Sequence, residues 1–247
     1  MDLLLNHSTI RDFSTKPVPD DLLQFILSSG ARASTTGNMQ WYSVIVTKDP
    51  LRLKDLAPLH FNQPVAKTAP VILTFCADIY RFKAWCSSRN AQPGYENFIS
   101  FFTAAIDALL LAQNVCIAAE NYGLGICYLG TATYNAAEII ELFELPVGVI
   151  PVTAVALGWP NESPSQVDRL PFDSFVHNEA YQIPSTQQIN DFYAFKEGLE
   201  SSKKFVDENG KQNLAQVFTD VRYTKSNNEF FSQKYWDTIR KHWPLES

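Results

Sequence analysis

The sequence predicts an α+β fold, a central sheet covered by helices. Three observations lead there. Short apolar or β-branched runs alternate with helical stretches of unequal length. One stretch, Asn97 to Tyr122, is apolar on nearly every side, as befits a helix central in its domain or in a subunit interface. No G-x-G-x-x-G follows the first strand, so a doubly wound dinucleotide-binding sheet is not supported.

The elements follow in order. Leu3 to Asn6 reads as a short helical start. After the Pro17–Pro19 turn, Asp20 or Asp21 can cap a helix running to Ser29, and Gly30 marks its stop or a tight packing point. Tyr42 to Thr47 is rich in β-branched residues and reads as a strand. A short helix is expected over Leu51 to Ala57. Pro70 to Ala77 is a continuous apolar run, the pattern of a strand buried on both faces. Gly123 and Gly125 are expected to stop the long helix. Ile126 to Leu129 is then a strand, Ala136 to Phe143 an amphipathic helix, and Val149 to Leu157 a strand broken by Pro151. Beyond Arg169 the polar content rises. Helices are expected over Gln187 to Leu199 and Phe230 to Lys241, with exposed connections over Glu200 to Asn213 and Thr224 to Asn228. The reading divides the chain into a domain over 1–185 and a C-terminal extension over 186–247. The extension is expected to have no core of its own and to wrap the main domain or a partner subunit.

Composition narrows the function. The chain has 247 residues, enough to bury a substantial core, and its 19% charged residues argue against broad disorder. A net charge of -6 with no dense basic block disfavours nucleic acid as a partner. The apolar stretch within residues 99–119 is interrupted by Asp107, Gln113 and Asn114, so it reads as a buried helix rather than a membrane span. The first residues lack the basic and apolar regions of a signal peptide, and a cytoplasmic location is expected. Cys76, Cys86, Cys116 and Cys127 form no C-x-x-C pair and read as buried reduced thiols. His60, His177 and His242 lack metal-ligand spacing, so no metal is assigned, and no G-x-S-x-G nucleophile motif occurs.

Four stretches can carry ligand chemistry. His7-Ser8-Thr9-Ile10-Arg11 offers a guanidinium fork, hydroxyls and an imidazole, the donors a phosphate needs. Ser34-Thr35-Thr36-Gly37-Asn38-Met39-Gln40 is a polar, glycine-bearing loop able to aim backbone donors at a ligand. In Gly123 to Thr131, Gly130 at a strand end would let a flat ring lie close to the backbone. Gly158-Trp159-Pro160 with Asp168-Arg169-Leu170-Pro171 adds a second candidate phosphate ligand, Arg169. Taken singly, each reads more simply as an ordinary turn, loop, helix stop or surface ion pair.

Their order along the chain resembles that of the nitroreductase-like family of FMN-dependent oxidoreductases, in particular its NAD(P)H nitroreductase and flavin reductase branch. That family carries an H-R-S-x-R element, a serine-rich loop before the first strand, a G-L-G-x-x-x-x-G element and a G-x-P…K-x-R-L-P loop in this order. The resemblance covers most of the first 185 residues. It implies a mostly antiparallel central sheet flanked by helices and a homodimer with FMN at the subunit interface. It further implies NADPH or NADH as co-substrate, a small-molecule electron acceptor and ping-pong turnover. By the same resemblance His7, Ser8, Arg11 and Arg169 surround the phosphate, and Thr9 belongs to the cofactor site. Ser34, Thr35 and Thr36 face the flavin, Gln63 approaches the ring, and Leu129, Gly130 and Thr131 lie along it. No side chain need act as acid or nucleophile, because the flavin carries the redox chemistry. Arg222 and Lys225 are candidates for the nicotinamide nucleotide's phosphates, or simply a solvated basic turn. Two positions depart from the pattern: Ser8 replaces the family arginine and Val167 the family lysine. These losses motivate two alternatives, a flavin-binding or flavin-delivery dimer without substantial turnover, and a scaffold without cofactor.

Overall fold

Val71–Asp78 is buried at every position, because its side chains meet packed layers on both faces. It is the second strand of a four-stranded sheet in a computed structural model that describes residues 2–245. The strands are β1 (Tyr42–Thr47), β2 (Val71–Asp78), β3 (Gly125–Leu129) and β4 (Val149–Gly158), in the order β1-β2-β4-β3. Every pairing is antiparallel. The helices are α1 (Asp2–Leu5), α2 (Asp20–Gly30), α3 (Pro50–Leu56), α4 (Pro64–Thr68), α5 (Tyr80–Ser87), α6 (Phe98–Asn121), α7 (Ala136–Leu142), α8 (Thr186–Gly198), α9 (Glu200–Glu208), α10 (Leu214–Val217) and α11 (Lys225–His242).

The chain divides into two compact units, 1–165 with 232–247, and 166–231. The division expected at 185/186 falls inside the second unit, and residues 232–247 return to the first. In the first unit, strand alternation sends Val71, Leu73, Phe75, Val155 and Leu157 toward α2 and α6. Ile72, Ala154 and Ala156 face the opposite layer with Leu56, Val65 and Ile139. A third cluster joins Trp41, Ile79 and Phe101 to Ile239 and Trp243 near the C-terminus.

α6 is the helix on which the sheet rests. The Asn97 side chain caps it by accepting from the Ser100 N–H. It ends in a Schellman motif: Gly123, at φ +77°, donates to Glu120 O, and Leu124 donates to Ala119 O. By length and hydropathy it could cross a membrane. Its Ala104, Asp107, Ala108, Leu111 and Val115 side is buried against this unit, the arrangement of a core helix, while Ile99, Phe102, Ile106, Leu109 and Leu110 stay exposed.

Several expectations change. Gly125 does not stop the helix; it opens β3, where a Cβ would sit 2.6 Å from the Ile10 side chain. Pro151 does not break its strand. The β2–β4 register shifts between Phe75 and Cys76, which pair with Thr153 and Pro151, and this bulge accommodates a residue without N–H. Pro19 occupies the N-cap of α2 without a side-chain cap, so Asp20 and Asp21 sit in the first turn instead. Glu200–Glu208 is a helix rather than a connection, supported by the Lys203–Glu200 and Lys204–Glu208 pairs. Residues 225–228 already belong to α11. In the second unit, α8 starts on a Ser185–Gln188 capping box, and only Leu214 and Val217 are buried.

Candidate functional site

The first group of candidate residues lies along β3, an edge strand. The Ile10 N–H donates to Ile126 O (3.0 Å), and Ile10 packs onto the bare backbone of Gly125. Phe13 bridges Pro160 beyond the end of β4. These contacts fix the segment that carries His7, Ser8, Thr9 and Arg11. Glu162 Oε1 accepts from the backbone N–H of Arg11 (2.5 Å) and of Asp12 (3.0 Å), so those donors are already used. The exposed Arg11 guanidinium pairs with no carboxylate among the described residues. Burial raises the neighbouring Cys127 thiol pKa, and the Arg11 charge partly opposes that rise. His7 Nδ1 lies 2.6 Å from Glu120 Oε1, at the end of α6, and this pair orients the ring. Ser8 and Thr9 are half-buried.

At the far end of β3 stand Leu129, Gly130 and Thr131. The Leu129 side chain is buried in the core, so only its backbone can meet a ligand. Gly130 is exposed, and a Cβ built there would meet nothing within 4 Å. Thr131 Oγ1 is 2.8 Å from Nδ1 of the fully buried His60. His60 closes a 3-10 turn over Ala57–His60. Phe61 and Asn62 follow in left-handed conformations (φ +55° and +53°) and deliver Gln63 to the N-cap of α4. The Asn135 Nδ2 donor on Leu59 O (2.7 Å) closes the same junction. The structure thus brings Gln63, Gly130 and Thr131 to one corner of the first unit.

The loop with Ser34, Thr35 and Thr36 precedes β1, the opposite edge strand. Asp107, buried on α6, accepts from the Thr36 N–H (3.0 Å) and hydroxyl (3.4 Å). Gly37, Asn38 and Gln40 all have positive φ, near +55°. Arg81 Nη2 donates to Gln40 O (2.6 Å) and Tyr42 O (3.3 Å), holding the far end. The candidates within the first unit therefore fall into two groups, attached to opposite edges of the sheet.

Arg169 belongs to the second unit and is exposed. Its Nη1 donates to Val167 O (3.3 Å) and Asp168 O (3.0 Å), and Asp168 pairs with Lys196 (2.8 Å). Arg222 lies over the Phe205 ring at 4.6 Å, and Lys225 pairs with Glu229. Asp107, His60, Glu120 and Glu162 were not among the sequence candidates. A lone acid inside an apolar helix was the signal for Asp107. The other three gave none, because each acts through a partner more than 70 positions away. No group of three or more His, Cys, Asp or Glu placed to hold a metal occurs among the described residues.

A flavin mononucleotide fits this donor set. The Arg11 guanidinium is exposed and in no ion pair among the described residues, it shares a segment with Ser8, Thr9 and His7, and the backbone at Gly130 is open. Fold and site together define an α+β scaffold of antiparallel sheet and helices with candidate ligand groups along a sheet edge. The Nitroreductase family model matches residues 4–159, and the chain belongs to that family. It is 32% identical over 185 residues to the FMN reductase (NADPH) of Bacillus subtilis strain 168, covering 74% of each chain. It is 32% identical over 182 residues to the oxygen-insensitive NADPH nitroreductase of Salmonella typhimurium, again over 74% of each. A protein of solved structure from Bacteroides fragilis NCTC 9343 shares 51% identity with a TM-score of 0.98, over 100% of both chains. Arg169 lies beyond the family match.

Proposed function

We propose that the protein is an FMN-dependent oxidoreductase that oxidises NADPH and reduces small acceptors such as nitroaromatics, quinones or free flavins. The observation that carries this reading is the exposed Arg11 guanidinium, in no ion pair among the described residues, at one end of β3 and the open backbone of Gly130 at the other. A five-residue strand is roughly 17 Å long, which suits a ligand with a phosphate at one end and a flat ring at the other. The names of the curated relatives point to the same donor and cofactor.

In this reading Arg11 binds the phosphate, with Ser8, Thr9 and His7 adding hydrogen bonds. Gly130 and Thr131 support the ring and Gln63 approaches it. Bound FMN supplies the redox chemistry, taking two electrons from the nicotinamide and giving them to an acceptor. One open side beside Gly130 would serve donor and acceptor in turn, which is the ping-pong order. The protein needs no acid or nucleophile of its own.

The same reading makes the protein a cytoplasmic homodimer. Ser34, Thr35 and Thr36 sit at the opposite sheet edge from Arg11, so they would meet the flavin of a second copy. The exposed apolar face of α6, with Ile99 66% and Phe102 50% exposed, supports burial against that copy.

Anaerobic addition of NADPH to FMN-loaded protein tests this reading. Bleaching of the flavin absorption, restored over many turnovers by an acceptor, is expected; absence of bleaching overturns it. Val167, 67% exposed where the family has lysine, favours one alternative, a flavin-delivery dimer. Slow stoichiometric reduction with tightly retained FMN would select that alternative.

A further inference from the structure

His60 is fully buried, and its side chain makes one hydrogen bond among the described residues, between Nδ1 and Thr131 Oγ1 at 2.8 Å. Its Nε2 is buried without a partner. Burial holds the imidazole neutral at physiological pH, with its pKa lowered to about 4. A neutral ring carries one N–H, so two arrangements are possible. With the hydrogen on Nε2, the Thr131 hydroxyl donates to Nδ1 and an N–H donor is left orphaned in the core. With the hydrogen on Nδ1, His60 donates to Thr131, and the hydroxyl hydrogen must point elsewhere.

The second arrangement costs less. A buried donor without an acceptor loses its full hydration, and such donors are rarer than under-used acceptors. His60 has no exposed surface, whereas Thr131 retains 9%. Thr131 also adjoins Gly130, which opens onto free space. The junction is held from a second point by Asn135, which donates to Leu59 O. Asn135 itself accepts from Lys234 Nζ (3.0 Å), which also pairs with Glu138 (2.6 Å).

We propose that His60 is a positioning residue: by donating from Nδ1 it fixes the Thr131 hydroxyl as a hydrogen-bond donor toward the flavin ring. This inference rests on the flavin placement proposed above. A donor aimed at an acceptor on the ring is worth more once reduction adds electrons to it. Thr131 then favours the reduced cofactor, and His60 acts through it without touching the ring.

Two measurements test this. In the native protein, 15N shifts of His60 report which nitrogen carries the hydrogen, with or without cofactor; Nδ1–H is expected, and Nε2–H overturns the proposal. The second is the FMN reduction potential in Thr131→Val, Thr131→Ser and His60→Phe. Thr131→Val should weaken binding of reduced relative to oxidised FMN about tenfold, equal to roughly 30 mV for a two-electron couple. His60→Phe should shift the potential in the same direction, and Thr131→Ser should restore the native value. An unchanged potential in FMN-loaded Thr131→Val overturns the proposal and leaves the enzyme reading intact. A native protein that takes up no FMN overturns both.

Discussion

His60 shows how one buried side chain sets a pH limit. In the folded chain its pKa is about 4 against 6.5 for a free imidazole, through loss of solvation. Above pH 6.5 neither state is protonated there, and its contribution to stability is intact. As the pH falls from about 6.5 toward 4, the unfolded chain takes up a proton that the folded chain refuses. Stability therefore declines across that window, by roughly 3 kcal/mol in all. His242, whose pKa is also lowered by burial, adds in the same direction. Urea unfolding of native protein and His60→Phe at pH 7.5 and 4.5 checks this. The native protein should lose more stability between the two conditions, whereas equal losses would mean that His60 titrates normally. Nothing in the sequence announced this residue. Spacing marks His60 only as no metal ligand, and its partner Thr131 lies 71 positions away.

At the scale of elements, local pattern carried far. The β-branched run at Tyr42–Thr47 and the apolar run beginning at Pro70 are strands within a residue of the expected bounds. Asn97 caps the long helix and Gly123 closes it. The failures have two causes, a partner distant in sequence and local charge pairing. Pro151 would end an isolated strand, but here the β2 partner shifts register to take it. Residues 200–208 are polar enough to read as a loop, yet charge pairs and the flanking Leu214 and Val217 accompany a helix there. Gly30 reads from the sequence as a stop or a packing point, and it is both. It ends α2, and a Cβ there would fall 2.2 Å from Val115 Cγ2 and 3.1 Å from the Val115 backbone nitrogen. The β-branched Val115 has little freedom to yield. Gly30→Ala should therefore destabilise the protein by about 1–3 kcal/mol through overpacking of α2 on α6. Thermal melts check this, with a Tm drop of roughly 2–12 °C expected at this chain length. An unchanged Tm would mean that the two helices separate freely.

For the whole molecule, the sheet order has the largest consequence. β1 and β3 are the two edges, and each carries one group of the candidate cofactor residues, Ser34, Thr35 and Thr36 at β1 and most of the others at β3. The sequence showed both groups and their order but not that they stand apart, because sheet order is fixed by pairings between distant segments. A flavin that uses both groups is accommodated if the edge of one copy faces the opposite edge of another, across the apolar side of α6. Complementation between two defective variants tests this arrangement most directly. Arg11→Ala removes a charge-assisted phosphate contact worth about 1.5–3 kcal/mol. Ser34→Trp fills the loop side of the ring with an indole. Each variant alone should retain little FMN at concentrations that saturate the native protein. Co-refolded mixed dimers carry both lesions in one site and none in the other, so one FMN per mixed dimer is expected. No recovery of bound FMN in the mixed dimers would place both groups in the same chain's site and contradict the account.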